Sequence, residues 1–257
     1  MWLANRLFPS VRRLQKRLVA AEGNSCGFSH EWLSAEFERR KPWYTQFYID
    51  GRPYGGNRFY PPDARLKMFL DHVDRRSRIL ELGALEGGHS FELAQAPGVS
   101  NVVSVEGKAA NVEKARFVQG VNGIRNVTFV EGDIRSMDLW QFAHVDAVFC
   151  SGVLYHLPEP WKLIEQCAVV APALFLWTHY CPDEATTDAV NGYRIARYAE
   201  GDLSSPLSGL QSESVWLTLG GLVSLLMKSG YDEVRVLRLK EIGAGPTVSL
   251  VAFRHHY

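Results

Sequence analysis

A chain of 257 residues with 46% hydrophobic content is long enough to bury one large core together with an appendage. Charged residues make up 22% of the chain, which argues against wholesale disorder, and they balance to a formal net charge of +0, which argues against a protein that wraps nucleic acid. No uncharged apolar run approaches the ~20 residues of a membrane-spanning helix.

The number and spacing of the cysteines indicate which cellular compartment suits the protein. The four cysteines form no CxxC pair and lie far apart, at Cys26, Cys150, Cys167 and Cys181. We therefore expect neither a zinc site nor a disulfide framework, and we expect a cytoplasmic protein.

The first predicted element is an amphipathic, basic helix within residues 3–20. Its apolar residues recur at helical spacing, at Leu3, Leu7, Val11, Leu14 and Leu18. Its charged residues are all basic, namely Arg6, Arg12, Arg13, Lys16 and Arg17. Such a helix either packs on its own domain or lies against a membrane surface or a partner protein. Peripheral contact through residues 1–20 is therefore one of two open alternatives.

Residues 24–62 look irregular, with many aromatic rings and four prolines. So many rings require burial, so this segment either covers an edge of the main domain or forms a lid over the active site. We assign residues 1–60 to an N-terminal helix with an aromatic extension, and residues 61–257 to the main domain.

Strands and helices alternate through the main domain. Strands are predicted at 78–82, 101–105, 127–130, 145–151, 173–177, 231–239 and 247–254. Helices are predicted at 65–73, 88–96, 109–121, 161–169 and 214–229. This order predicts an α/β fold with a doubly wound, mostly parallel seven-stranded sheet. No helix separates the last two strands, so the final strand is expected to run antiparallel in a hairpin.

The strand at 78–82 ends in a glycine-rich turn that opens a helix. Its glycines allow close approach to a ligand, and the start of the helix offers free N–H groups. Glu106 ends the next strand, where a carboxylate can bind two ribose hydroxyls. Asp133, just past the third strand, could accept a hydrogen bond from an adenine amino group. Glu81, at the end of the first strand, could reach an ammonium group above the sheet.

These residues resemble the motifs of class I S-adenosylmethionine (SAM)-dependent methyltransferases, over roughly residues 60–257. The resemblance implies a Rossmann-like methyltransferase fold with SAM as the cofactor, and Leu85 stands where the family has its middle glycine. The family's motifs match Glu81, Gly83, Gly87, Glu106 and Asp133. The predicted cofactor site also includes their neighbours Ala84, Gly107 and Ile134.

The run from Gly152 to His156 is similar to the tRNA wobble-uridine carboxymethyltransferase branch of this family. In that branch the tyrosine at the position of Tyr155 contacts the cofactor, and the position of Ser151 lines the same pocket. We carry over the fold and the cofactor from this similarity, but not the RNA substrate.

Two histidines follow strands at the expected rim of the site. His156 follows the fourth strand and His179 the fifth, and each is a candidate base for the acceptor proton or a residue that fixes a loop. Carboxylates do not cluster near these strand ends, so we expect no metal. We expect the segment 178–211 and the aromatic N-terminal segment to wall the acceptor pocket together.

The leading hypothesis is methyl transfer from SAM to an oxygen or nitrogen of a small-molecule or glycan-like acceptor. A second is modification of tRNA, possibly with a carboxylated cofactor, using the basic cluster Arg39, Arg40 and Lys41. A third is a non-catalytic SAM-binding adaptor. A dehydrogenase is a weaker rival, because its GxGxxG fingerprint spaces the glycines differently.

Overall fold

The computed structural model describes residues 27–58 and 63–255. The basic segment predicted at residues 3–20 lies outside them. The described helices are α1 His30–Arg39, α2 Ala64–His72, α3 Gly88–Gln95, α4 Ala109–Asn122, α5 Pro160–Val170 and α6 Leu219–Lys228. None of them is long and apolar enough to cross a membrane.

The described strands form one two-stranded hairpin, one three-stranded sheet and one seven-stranded sheet. The first strands are β1 Gln46–Ile49, β2 Arg52–Gly55, β3 Arg78–Leu82, β4 Asn101–Glu106, β5 Val127–Glu131 and β6 Ala147–Ser151. The later strands are β7 Ala173–His179, β8 Asp188–Val190, β9 Tyr193–Ala199, β10 Glu213–Leu217, β11 Glu233–Ile242 and β12 Gly245–Phe253.

Seven strands form the central sheet, in the order β11-β12-β7-β6-β3-β4-β5. The pairs from β7 across to β5 are parallel. Strand β12 runs antiparallel to both of its neighbours, β7 and β11. The predicted doubly wound, mostly parallel sheet with an antiparallel last strand is therefore confirmed.

Helices cover both faces of this sheet. One face packs against α5 and α6 through side chains such as Ile164 and Leu225. On the other face, Phe69 of α2 lies edge-on to Phe149, which stacks on Phe175 with 5.2 Å between ring centroids. Parallel strands buried on both sides appear in a sequence as continuous hydrophobic runs, which is why the predicted strands coincide closely with the observed ones.

The strand order reverses at β3. Strands β4 and β5 lie on one side of it, and β6 and β7 lie on the other. The loops that follow β3 and β6 therefore leave in opposite directions and open a crevice at the carboxyl ends of the strands. This crevice positions the candidate site.

Residues 27–58 are more regular than their sequence suggested, because they contain α1 and the β1–β2 hairpin. Ser29 caps α1 by accepting a hydrogen bond from the Trp32 N–H at 3.2 Å. Leu33 and Phe37 lie four residues apart on one face of the helix and are buried in the hydrophobic cluster that also contains Phe69. The expectation of an irregular segment was wrong, because abundant rings and prolines obscured a short amphipathic helix.

Much of the chain between β7 and α6 forms a second sheet in the order β10-β9-β8. The helix predicted at 214–229 was wrong at its start. Val215 is β-branched and Trp216 is aromatic, and residues 215–217 pair with β9. Thr218 then caps α6 by accepting a hydrogen bond from the Gly221 N–H at 3.1 Å.

Candidate active site

A cavity of about 450 Å³ lies at the carboxyl ends of β3, β4 and β6. Its volume falls within the roughly 300–1,000 Å³ of small-molecule sites. The loops after these strands line it, and so do Tyr44 and Arg58 of the N-terminal segment and residues 206–210 of the second-sheet region. Three stretches of chain that lie far apart in sequence therefore meet in one site.

The glycine turn after β3 brings backbone to the cavity. Gly83 has a φ of +80°, and its N–H donates to the Val105 carbonyl at 2.9 Å. A Cβ on Gly83 would overlap with the Val153 side chain. Leu85 also lies in the left-handed region, with a φ of +50°, at a cost of about 1–2 kcal/mol for a residue with a side chain. The turn therefore requires glycine at position 83 and tolerates leucine at position 85.

Glu106 faces the turn from the end of β4. Its carboxylate accepts hydrogen bonds from the N–H of Leu85 at 2.8 Å and from the N–H of Lys108 at 3.0 Å. Burial raises the pKa of Glu106, and these backbone hydrogen bonds oppose the rise. The contacts fix the carboxylate at the cavity wall, in the place where a ribose-binding acid is expected.

Asp133 lines the cavity beyond the end of β5. Its carboxylate accepts hydrogen bonds from the N–H of Arg135 at 3.0 Å and from Nε of the same residue at 2.9 Å. The hydrogen bond from the Arg135 side chain lowers the pKa of Asp133, so the group is ionised at neutral pH. An ionised acceptor at this position suits an adenine amino group.

Most residues predicted to bind the cofactor line this one cavity. They are Gly83, Ala84, Glu106, Gly107, Asp133, Ile134, Ser151 and Tyr155. The buried Ser151 hydroxyl has no hydrogen-bond partner among the described residues, which leaves a polar group for a ligand to satisfy. A glycine cradle, fixed carboxylates and an orphaned hydroxyl together fit a SAM molecule.

Glu81 and Gly87, the other two predicted cofactor residues, do not line the cavity. The Glu81 carboxyl is fully buried and accepts hydrogen bonds from the hydroxyls of Ser90 at 2.5 Å and Ser104 at 2.7 Å. Burial raises the pKa of Glu81 to about 7. Gly87 has a φ of +86° and precedes the first turn of α3. The Glu81 carboxyl is thus bonded to Ser90 and Ser104 inside the fold, which corrects the expectation that it faces the ligand.

His156 lines the cavity and is oriented by a carboxylate that the sequence did not reveal. Its Nδ1 lies 2.9 Å from Oε2 of Glu200, whose side chain is buried. The same Glu200 oxygen accepts a weaker hydrogen bond from the Gly209 N–H at 3.3 Å. Glu200 is 44 residues away in sequence and no local pattern marks it, so only the fold could show the pair.

His179 lies behind the cavity rather than on its wall. Its ring stacks on Trp216 with 4.5 Å between centroids and meets Tyr155 edge-on at 4.7 Å. Burial lowers the pKa of His179, so the ring is neutral at neutral pH. The structure does not place it where it could take a proton from an acceptor in the cavity, which corrects its selection as a candidate base.

A compact polar cluster also lines the cavity. Asp63 pairs with Arg65 at 2.8 Å and lies 3.2 Å from Nε2 of His89. Burial opposes ionisation of Asp63, but hydrogen bonds from His89 and Arg65 hold its pKa well below the usual range. The Arg65 guanidinium lies over the Trp177 ring, 5.1 Å from its centroid. His89, near the start of α3, also lines the cavity.

A buried ion pair joins the N-terminal segment to the glycine turn. Glu86 is fully buried and lies 3.1 Å from Nζ of Lys114. Its carboxylate also accepts the backbone N–H groups of Tyr44 at 3.1 Å and Thr45 at 2.6 Å. Lys114 reaches the Pro42 carbonyl as well. These contacts hold Tyr44 at the cavity, and sequence analysis missed both charged residues.

Lys108 attaches the 203–208 segment beside another wall of the cavity. Its ammonium group contacts the carbonyl of Leu203 at 3.1 Å, the carbonyl of Ser205, and the hydroxyl of Ser208 at 2.8 Å. Lys108 lies two residues after Glu106, so the segment that covers the cavity is attached directly beside the expected ribose site.

Comparisons with known proteins agree with this geometry. The profile of a methyltransferase domain family matches residues 74–196. The N-terminal domain of EvdMO1, crystallised in the presence of SAH and D-fucose, superposes with a TM-score of 0.82 and 28% identity over 91% of this chain and 100% of that one. Magnesium protoporphyrin IX methyltransferase of Synechocystis PCC 6803 shares the fold, with a TM-score of 0.54 and 18% identity over 75% of this chain and 81% of that one.

Two curated relatives match a smaller share of the chain. The tRNA (adenine(58)-N(1))-methyltransferase TrmI of Thermus thermophilus is 32% identical over 46% of this chain and 45% of that enzyme. The ubiquinone biosynthesis O-methyltransferase of Nitrosospira multiformis is 24% identical over 45% of this chain and 52% of that enzyme. The chain therefore spans about half the length of the curated relatives it matches. Full-length EvdMO1 is likewise covered over 50% of its chain.

A Rossmann-like sheet with a reversed last strand, and a cavity over its glycine turn, define a domain that binds a nucleoside cofactor. Residues 74–196 match a methyltransferase domain, and the chain has the fold of the class I SAM-dependent methyltransferases. Its cofactor is SAM, in agreement with the SAH of the similar EvdMO1 domain.

Proposed function

We propose that this protein methylates a hydroxyl group of a small, sugar-like acceptor. The observation that carries the proposal is the His156–Glu200 pair at the wall of the SAM-sized cavity. A sugar hydroxyl is a weak nucleophile, so a base that removes its proton during transfer is required.

SAM, when bound, supplies the electrophilic methyl group and its own leaving group. Gly83, Glu106 and Asp133 hold the cofactor in this proposal, and they leave the chemistry of the acceptor to other residues. The protein must align the acceptor oxygen with the methyl carbon and accept one proton.

His156 accepts that proton in the proposed reaction. With Nδ1–H donated to Glu200, the neutral ring keeps Nε2 as its acceptor nitrogen. The Glu200 carboxylate also stabilises the imidazolium that forms, because opposite charges attract strongly in a partly buried site. Glu200 is thus a positioning residue and His156 the catalytic residue.

The polar cluster in the wall of the cavity suits a sugar. Asp63, Arg65 and His89 offer donors and acceptors for several hydroxyl groups, and Trp177 offers an apolar ring face beside them. The similar EvdMO1 domain was crystallised with D-fucose present, which supports an acceptor of this class.

The proposed tRNA alternative relied on a basic cluster that the fold largely neutralises. Arg39 and Arg40 both pair with Glu36, and Lys41 lies 2.7 Å from Glu38. Arg40 also packs over the Phe117 ring, 4.1 Å from its centroid. A path for a phosphate backbone needs cations that are available to it, so we favour the small-molecule acceptor.

The test is methyl transfer from SAM to a panel of free sugars that includes D-fucose, followed by mass spectrometry. We expect a mono-O-methylated sugar, and we expect His156→Ala to lower kcat by about 10²–10⁴-fold with unchanged SAM affinity. Glu200→Gln should lower kcat less and leave KM unchanged. Glu213→Gln is the matched control, because Glu213 lies at the exposed start of β10 and pairs with Arg197.

Transfer to unmodified tRNA but to no sugar would replace this proposal by the tRNA alternative. SAM binding without transfer to either pool would support the adaptor hypothesis. Full activity of the His156→Ala variant would remove the assigned base.

A further inference from the structure

We propose that the acceptor sugar carries a phosphoryl group, and that a basic cleft next to the main cavity binds it. This inference rests on the proposed function, because it specifies the acceptor of the same site. It concerns residues at the edge of the central sheet that take no part in holding SAM.

The cleft has a volume of about 240 Å³ and adjoins the main cavity. Asp63, Arg65 and Trp177 line both spaces, so they form the boundary between them. Helix α2 forms one wall of the cleft, and the edge of the sheet forms the other with Arg238, Lys240, Ile242, Thr247 and Ser249. A sugar held at the polar cluster can therefore extend a substituent past Trp177 into the cleft.

A β-bulge directs the basic side chains toward this cleft. Val236 pairs with Leu250, whereas Arg238 pairs with Ser249, so one extra residue lies between them on β11. Side chains alternate between the two faces of a sheet. The extra residue therefore places the side chain of every later β11 residue on the opposite face from the one it would occupy without the bulge. Arg238 and Lys240 thus lie beside Ser249 and Thr247 instead of on the face of Leu250. Bulges that redirect a side chain are common next to active sites.

The charges of the cleft favour an anion. Asp63 is already paired with Arg65 at 2.8 Å and with His89 at 3.2 Å. Arg238 and Lys240 form no ion pair with any residue in the described part of the chain, in contrast to Arg235 on the same strand, which pairs with Glu233. Two cations are therefore left for a ligand at the end of the cleft.

A phosphoryl group matches these residues better than a neutral sugar does. The fork of an arginine binds two phosphate oxygens at once, and a lysine adds a second positive charge. Thr247 and Ser249 provide polar side chains at the floor of the cleft. A sugar monophosphate and a nucleoside diphosphate sugar present the same chemistry, and the experiment separates them.

The first measurement is a calorimetric titration of the SAH-bound protein with inorganic phosphate and with pyrophosphate at low salt. We compare the wild type with the double variant Arg238→Ala/Lys240→Ala. The double variant should lose about tenfold or more in affinity for the preferred anion, because two charged contacts are removed. Stronger binding of pyrophosphate indicates a diphosphate ester, and stronger binding of phosphate indicates a monoester.

Arg235→Ala is the matched control, since Arg235 is exposed on the same strand and outside the cleft. It should leave the anion affinity unchanged, and SAH affinity should be unchanged in every variant. Anion binding that is undetectable in the wild type, or equal in the wild type and the double variant, would overturn the proposal.

The second measurement compares D-fucose with D-fucose 1-phosphate and with its nucleoside diphosphate ester as acceptors. The double variant should raise KM for the preferred phosphorylated acceptor about tenfold or more, with kcat and the neutral sugar unaffected. Failure of methyl transfer to all three compounds, while anion affinity still depends on Arg238 and Lys240, would reject the sugar acceptor and not the anion site. Methylation with no effect of the double variant would reject the anion site alone.

Discussion

The two ends of the cavity are built in different ways. At the cofactor end, the turn after β3 and the ends of β4 and β5 place backbone N–H groups and single acids, within a short span of chain. At the acceptor end, the side chains come from residues 44–58, from the region around Asp63 and Arg65, and from Glu200. The strand ends of the sheet therefore position the cofactor residues. The acceptor residues are instead positioned by segments that pack on the sheet.

This difference has a physical cause. A parallel sheet fixes where its strands end, so residues at those ends meet whatever covers the sheet. The covering segments are fixed by a few polar anchors, such as Glu86 with Lys114 and Lys108 with the 203–208 segment. Changes at the cofactor end should therefore abolish SAM binding, and changes in the anchors should affect stability and acceptor use.

The largest expected effect comes from Gly83→Val. The variant places a branched side chain in the left-handed region and against Val153, and the turn must shift to relieve both strains. We expect SAM affinity to fall about 100-fold or more, as measured by calorimetry. Gly98→Val is the control, because Gly98 has a φ of +85° with open space around it. Equal SAM affinity in the two variants would show that the turn does not shape the cofactor site.

Lys114→Met tests the attachment of the N-terminal segment. Removing the lysine leaves the Glu86 carboxylate buried without its counter-ion, which costs about 3–5 kcal/mol for a pair of this kind. The measurement is the free energy of unfolding in urea. Lys162→Met is the control, since Lys162 forms an exposed pair with Glu159, and it should cost about 1 kcal/mol or less. A loss as small as that of the control would mean that the anchor contributes little.

The smallest effect concerns the buried Glu81 behind the turn. Its pKa is about 7 in the fold, above the ordinary value of 4.5, so the folded protein retains a proton that the unfolded chain releases. Its contribution to stability is complete below pH ~4.5 and is lost as the pH rises through ~7, by about 3 kcal/mol in all.

Glu81→Gln keeps acceptors for Ser90 and Ser104 but cannot ionise. Its unfolding free energy relative to the wild type should therefore rise by about 3 kcal/mol between pH ~4.5 and ~8, as measured by urea denaturation. Glu159→Gln, at an exposed position, should show no such trend. A constant difference between Glu81→Gln and the wild type would mean that Glu81 is ionised throughout.

Much of the cofactor end was predictable, and little of the acceptor end was. The strand at 78–82, Glu106 and Asp133 were located because a buried run followed by a glycine or an acid is a local pattern. The strand β10 was predicted as helix, because a short apolar run before a helix has no periodicity of its own. His179 was selected for its place after a strand, but its ring turned toward Trp216 instead of the cavity.

By itself, the sequence determined the strands of the central sheet, the reversed last strand and the glycine turn, because each depends on neighbouring residues. Only the tertiary structure decided that His156 meets Glu200, that His89 meets Asp63, and that a bulge places Arg238 on the same face of the sheet as Trp177. The physical reason is that contacts between distant side chains depend on how every element packs, and no stretch of sequence encodes that packing alone.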